Sequence, residues 1–239
     1  MEKFIIAGLK TKYHVRGNHL RAYSNKYRAD FDDSETDISI DIPEEYLERK
    51  TKEIKELSYE QHEYVWTGME FYKELLEHNG LMVHSSCVEK DGFAYLFSAN
   101  CGTGKSTHTH LWLKNLSGTR IINDDKPALI LEDDVWYACG TPFSGKTKES
   151  ENVKVPVRAI TFLERSNNNS VKRISVEEAI KLLFQQTIKP SDKNRAIKLL
   201  ENVDKLLRKV PVFKLECNMD DEAAVVSYES IERLIKDEN

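Results

Sequence analysis

The sequence contains no apolar run near the ~20 residues that a bilayer-spanning helix needs. Its opening, MEKFIIAGLKTKYHV, lacks a long apolar segment followed by a small-residue cleavage site. From these two absences we expect a cytoplasmic protein with no membrane partner. The four cysteines, Cys87, Cys101, Cys139 and Cys217, show no CxxC spacing, so neither a zinc site nor a disulfide framework is indicated and free thiols are expected. A net charge of only −5 leaves no overall electrostatic attraction for nucleic acid. There is no internal repeat and no low-complexity segment, and the six prolines and ten glycines are scattered rather than pooled into a linker. No NKxD guanine-reading motif occurs, which argues against a switch GTPase; INDDK at 122–126 is only a scrambled echo of one.

What is present reads as one compact α/β unit: a mixed β-sheet core carrying a P-loop and flanking helices, with a small amino-terminal β-rich appendage. We place the appendage at residues 1–57, packed on a kinase-like core at 58–239. DISIDIP (37–43) alternates strictly and predicts a strand with one buried face, forming a small sheet with KFIIAGL. A helix is expected from Ser58, which can form a capping box with Gln61, to a stop at Asn79 and Gly80. LMVHSSCV and FAYLFSA then read as two strands joined by EKDG, followed by a helix over 106–116 and a strand at RIIND. PALILEDDVWYACG reads as a hairpin whose acidic tip, Glu132, Asp133 and Asp134, is a solvated turn rather than a metal site. VPVRAITFLER suits a buried strand. Helices are expected from Ser175 (a capping box with Glu178), from Asp192 to Leu207, and from Asp220 after a last strand, VPVFKLEC.

The chemistry concentrates in SANCGTGKSTHTHLWLK (98–114). Against the phosphate-binding pattern GxxxxGK[ST], the matching residues are Ala99, Asn100, Cys101, Gly102, Thr103, Gly104, Lys105 and Ser106, so only the first glycine is missing. Gly102 and Gly104 let backbone N–H groups turn inward around phosphate oxygens, and the following helix, with Thr107 in its first turn, offers its positive end. Lys105 would reach the β/γ-phosphates and the Ser106 hydroxyl would ligate Mg²⁺. His108 and His110 are two apart, on opposite helix faces, so they cannot share a metal and are taken as surface or site-edge residues. Beyond RIIN stand Asp124 and Asp125; carboxylates at a strand end beside such a loop can bind Mg²⁺, and one of two can act as base.

These residues resemble the HPr kinase/phosphorylase and phosphoenolpyruvate carboxykinase superfamily, in which a loop of the form SGxGK[ST] is paired with an Asp-Asp motif. CGTGKST looks like the carboxykinase version, while His84, placed twenty-one residues before Lys105, matches the HPr kinase pattern. GTPFSGKT, VPVRAITFLER and VPVFKLECNMDDEA look similar to HPr-kinase-related proteins of unsettled substrate, some of which phosphorylate serine hydroxyls on peptides. The resemblance implies ATP and Mg²⁺ as cofactors, Lys105 and Ser106 on nucleotide phosphates and Mg²⁺, Asp124 and Asp125 dividing metal binding and base catalysis, and His84 at the reacting end. It also implies a homo-oligomer. The family arginine of the E[IL]RGLG signature is missing; Lys146 in ACGTPFSGKT is either its replacement clamp or a surface-loop lysine. The chain lacks the length and duplicate arginines of a carboxykinase. The expectation is phosphoryl transfer to a hydroxyl on a peptide or small molecule, against the alternative of a non-catalytic ATP-binding regulator or scaffold of a biosynthetic cluster.

Overall fold

The computed structural model describes residues 1–100 and 102–237. The chain opens with a hairpin, β1 (Glu2–Ile6) and β2 (Leu9–Tyr13), reversed at Ala7 and Gly8, both at positive φ. After α1 (Asn18–Ser24), β3 (Ile38–Ile40) returns parallel to β2 and completes a three-stranded sheet. This is the alternating segment, with Ile38 and Ile40 buried and Ser39 exposed. α2 (Glu44–Glu53) and α3 (Tyr59–Leu75) follow. α3 starts at the expected box: the Gln61 N–H donates to the Ser58 hydroxyl at 3.3 Å, and the Ser58 N–H donates to the Gln61 side chain at 2.8 Å. Asn79, at φ 53°, reverses the chain beyond it. α2 escapes sequence reading because Leu47 is its one buried residue, too few to make an apolar stripe.

The remaining elements are β4 (Gly80–Met82), β5 (Ser85–Lys90), β6 (Phe93–Ser98), α4 (Lys105–Asn115), β7 (Arg120–Asn123), β8 (Ala128–Glu132), β9 (Val135–Cys139), β10 (Lys154–Arg165), β11 (Ser170–Arg173), α5 (Val176–Gln185), α6 (Lys193–Leu207), β12 (Val212–Cys217) and α7 (Glu222–Lys236). Nine strands of the described residues form one curled mixed sheet. The long β10 joins its halves: Lys154, Val155 and Pro156 pair antiparallel with β9, and the later residues run between β6 and β12, parallel to both. β5 is antiparallel to β6 and to β7. The carboxyl ends of β6, β7, β10 and β12 and the amino end of β5 therefore share one edge, where ligands of open α/β sheets collect.

Packing ties the parts together. One buried cluster joins Phe4, Ile6 and Leu20 to Phe71 and Tyr72 of α3 and to Ile130 and Cys139 of the large sheet. α4 and α7 are held by Trp112, fully buried and stacked edge-on to Phe97 and Tyr228.

Four details differ from the expected ones. LMVHSSCV is not a single strand: β4 pairs with β8 and β5 with β6, so the chain must change partners between them, and His84 lies in that break. His108 is a core residue at 3% exposure; its Nε2 accepts from Trp112 Nε1 at 3.1 Å, and burial lowers its pKa to about 4. His110 is exposed, as the helical geometry requires. α7 begins one residue late, with Asp221 at its N-cap, because the Asp220 carboxylate is taken by the Asn218 amide at 2.8 Å. At α5, Ser175 accepts from the Glu178 N–H, which is half of a capping box.

The acidic hairpin is a turn, with Asp133 and Asp134 at positive φ, Glu132 on Lys154 and Asp134 on Lys209. Cys87, Cys139 and Cys217 are free thiols, and Cys101 lies outside the described residues. Among the described residues, no helix is long and apolar enough to cross a membrane.

Candidate functional site

The glycine-rich segment leaves β6 at that shared edge and enters α4 at Gly104, whose φ of 119° only glycine adopts without strain. Gly102 also stands at positive φ, 77°, whereas Ala99 does not, so the missing first glycine costs the backbone nothing there. The Asn100 carbonyl accepts from the Thr103 N–H at 3.2 Å, closing the turn. α4 has no side-chain cap, and its first helical bond runs from the His108 N–H to the Gly104 carbonyl at 2.9 Å. The N–H groups of Lys105, Ser106 and Thr107 precede that bond, so no carbonyl of α4 itself accepts them. The Lys105 ammonium folds back onto the Ala99 carbonyl at 3.1 Å.

Strand pairing brings the acidic pair to this helix start. The Ser106 hydroxyl donates to Asp124 Oδ2 at 3.0 Å, and Ser86, from β5, donates to Asp124 Oδ1 at 2.5 Å. Asp124 is 6% exposed and has no ion pair with a described residue. Asp125 is different. Its Oδ1 lies 2.9 Å from His84 Nε2, and its Oδ2 meets the Lys126 ammonium. Burial pushes the Asp125 pKa up, but the His84 and Lys126 contacts outweigh it and hold the carboxyl below its ordinary value. The break between β4 and β5 is fixed by the His84 N–H on the Gln186 carbonyl at 2.7 Å and by Ser98 on the His84 carbonyl at 2.8 Å.

This edge thus offers helix N–H groups and an ammonium for an anion, a hydroxyl and a carboxylate with no ion pair among the described residues for a hard cation, and a His–carboxylate pair for a proton. The family model "SynChlorMet cassette protein ScmC" matches residues 51–236. The chain belongs to the ScmC family. No curated protein matches the sequence. Among solved structures, the chain is similar to the Hpr(Ser) kinase/phosphatase from Coxiella burnetii, with a TM-score of 0.40 and 11% identity over 66% of this chain and 99% of that one.

The ScmC match takes in every residue of this site, and it begins within α2, after the three-stranded sheet. Of the other expected site residues, Asn100 and Thr107 are exposed at the loop, and Cys101 lies outside the described residues. Lys146 is exposed and makes no contact with a described residue that fixes its ammonium. Its neighbour Gly145 is the close approach: a Cβ there would lie 2.8 Å from Asp125 Cβ and 3.1 Å from its Oδ2.

Three residues of this candidate site escape a reading of motifs. Asn123, fully buried, accepts the N–H groups of Asp125 and Lys126 at 3.0 and 2.7 Å and donates to the Thr141 carbonyl at 3.1 Å, so it sets the turn that aims both acids. Arg165, at the end of β10, donates to the carbonyls of Gly102 and Thr103. Ser86 completes the Asp124 shell. Asn before Asp-Asp is a turn signal in the sequence. Arg165 and Ser86 become visible only through strand pairing.

Proposed function

We propose that this protein transfers a phosphoryl group from a nucleoside triphosphate, ATP, to a serine-type hydroxyl on a peptide or small molecule, with Mg²⁺ assistance. The observation that carries the reading is the Ser106–Asp124 contact at the uncapped start of α4, with the Asp125–His84 pair on the adjacent residue. The nearly buried Asp124 carboxylate is met by two hydroxyls, the oxygen surroundings that suit Mg²⁺. Among the described residues no three His, Cys, Asp or Glu cluster as a metal cage, in keeping with an ion that is held by one or two carboxylates and substrate phosphates. Ser106 and Asp124 would hold Mg²⁺, which supplies neutralisation of charge on the transferred phosphoryl group.

In this reading the glycine-rich segment is a P-loop. The α4 N–H groups and Lys105 bind the triphosphate, and Arg165 fixes the loop through its carbonyls. Asp125 accepts the proton of the acceptor hydroxyl, while His84 and Lys126 hold its carboxylate ionised and aimed. Lys146, exposed next to Gly145, is the charge that takes the place of the arginine in the HPr kinase signature. The two acids thereby separate: Asp124 on the metal side and Asp125 on the acceptor side. A nucleoside triphosphate, a hydroxyl acceptor, a second copy of the chain and a cytoplasmic setting belong to the same reading.

Labelled ATP with a panel of serine peptides and free hydroxy metabolites tests it. Asp125→Asn should lose at least ~10²-fold in turnover with nucleotide affinity nearly unchanged, whereas Asp124→Asn should also lose the Mg²⁺ dependence of binding. Full turnover in both variants overturns the assignment. ATP that binds but stays intact with every acceptor identifies a regulator or scaffold instead.

A further inference from the structure

A concavity adjoins Lys126, the residue that follows the acidic pair. Its walls are Tyr64, Val65, Met69 and Tyr72 of α3, Phe143, and Ile188, with Lys126 at the rim; its volume is about 140 Å³. α3 comes close to Phe143 because residue 68 is glycine: a Cβ there would stand 2.8 Å from the ring. The cavity is joined to the reacting end through three contacts. The Gly145 N–H donates to the Tyr64 hydroxyl at 3.1 Å while Gly145 packs on the Asp125 carboxylate. The Tyr72 hydroxyl is shared between Thr141, at 2.9 Å, and the Lys126 carbonyl. Lys126 itself is ion-paired to Asp125.

Size and lining decide what fits. Whole small-molecule sites run to ~300–1,000 Å³, whereas an apolar cavity of ~150 Å³ takes one ring the size of benzene. This one holds a single aliphatic or aromatic side chain and nothing larger. The rest of such a ligand must lie outside, past the exposed rim at Val65 and toward the exposed Lys146. Building on the phosphotransferase reading, we propose that the cavity receives the apolar side chain of a residue flanking the acceptor serine, so that the acceptor is a peptide chosen by that neighbour. In that transfer the serine oxygen bonds to the γ-phosphorus while the bond from that phosphorus to the β–γ bridging oxygen breaks, the nucleoside diphosphate leaves, and the hydroxyl proton passes to Asp125.

Equilibrium binding of fluorescently labelled serine peptides, identical except for leucine or glycine on either side of the serine, tests this directly. One leucine-flanked peptide should bind at least ~10-fold tighter than its glycine counterpart, the scale of one apolar group in a pocket. Val65→Trp, which fills the rim, should bring that ratio below ~3-fold with ATP affinity and melting temperature unchanged; Met69→Trp is the second filling variant. Equal binding of all peptides, binding of none, or a preference that survives both variants overturns the proposal. A leucine preference abolished by the variants in a protein that leaves ATP intact would support the pocket and overturn the phosphotransferase reading.

Discussion

Two helices of this protein begin at a glycine, and the chain treats the two beginnings in opposite ways. At α1, whose N-cap is Gly17, carboxylates from α3 fill the helix end: Glu63 accepts the N–H groups of Arg16 and Gly17 at 2.7 and 2.8 Å, and Glu60 accepts those of Asn18 and His19 at 3.1 and 3.3 Å. A Cβ on Gly17 would meet Glu60 Cγ at 2.7 Å. At α4, whose N-cap is Gly104, no side chain of the described residues caps the first turn, which carries Lys105 and no acid. A Cβ on Gly102 would meet nothing within 4 Å. Both ends carry the same positive partial charge. Where the end serves the fold, the chain supplies the anion itself; where it lies beside Ser106 and Asp124, at the proposed triphosphate site, the chain supplies more positive charge.

The sharpest way to separate the two ends is to remove the charge each one depends on. Lys105→Ala should cut turnover by about 10²–10³-fold, the scale of losing one preorganised charge contact, with thermal stability unchanged. Glu63→Ala should do the reverse, because its carboxylate is 1% exposed and lies 3.8 Å from the Arg16 guanidinium. Its loss strands two backbone donors and should cost about 3 kcal/mol in denaturant unfolding with nucleotide affinity intact. If Glu63→Ala weakened nucleotide binding as much as stability, the division between a structural end and a ligand end would fail.

The contrast also explains which parts could be read in the sequence. The α4 end announces itself because its work is local: Gly102, Gly104, Lys105 and Ser106 lie within five positions, and Asp124 and Asp125 are adjacent. The α1 end is silent, since Glu60 and Glu63 reach it from more than forty residues away, and nothing in YEQHE marks them as caps for another helix. The same physics hid Ser86 and Arg165, which meet the site only because β5 pairs with β7 and β10 lies beside β6. His84 was visible as a residue but misplaced as to backbone, because a change of strand partner leaves no periodic trace in LMVHSSCV. Elements with a regular buried face, such as β3, α3 and α6, were legible; α1, only seven residues long, and α2, with Leu47 as its one buried residue, were not.

Making the α4 end resemble the α1 end is a milder test. Thr107 is exposed in the first turn, so Thr107→Glu places a carboxylate at the positive end of α4 without disturbing the core. Stability should rise by about 0.3–1 kcal/mol through the helix dipole. Nucleotide affinity should fall at least ~10-fold, since the new charge opposes the phosphates. Unchanged affinity, measured by titration calorimetry, would mean that the phosphates do not sit at this turn.

The smallest effect belongs to the outer acid at α1. Glu60 is partly exposed and its two bonds to Asn18 and His19 are longer than those of Glu63, so water replaces much of what they contribute. Glu60→Gln keeps an acceptor oxygen and most of the packing against Gly17 while removing the charge. The helix-dipole term alone should then be lost, about 0.5 kcal/mol, and the loss should shrink further as salt is raised because an exposed charge is screened. A deficit that stayed constant with salt in chemical unfolding would assign Glu60 a steric role at Gly17 instead. The filled end would then be held by shape at its rim and by charge only at Glu63.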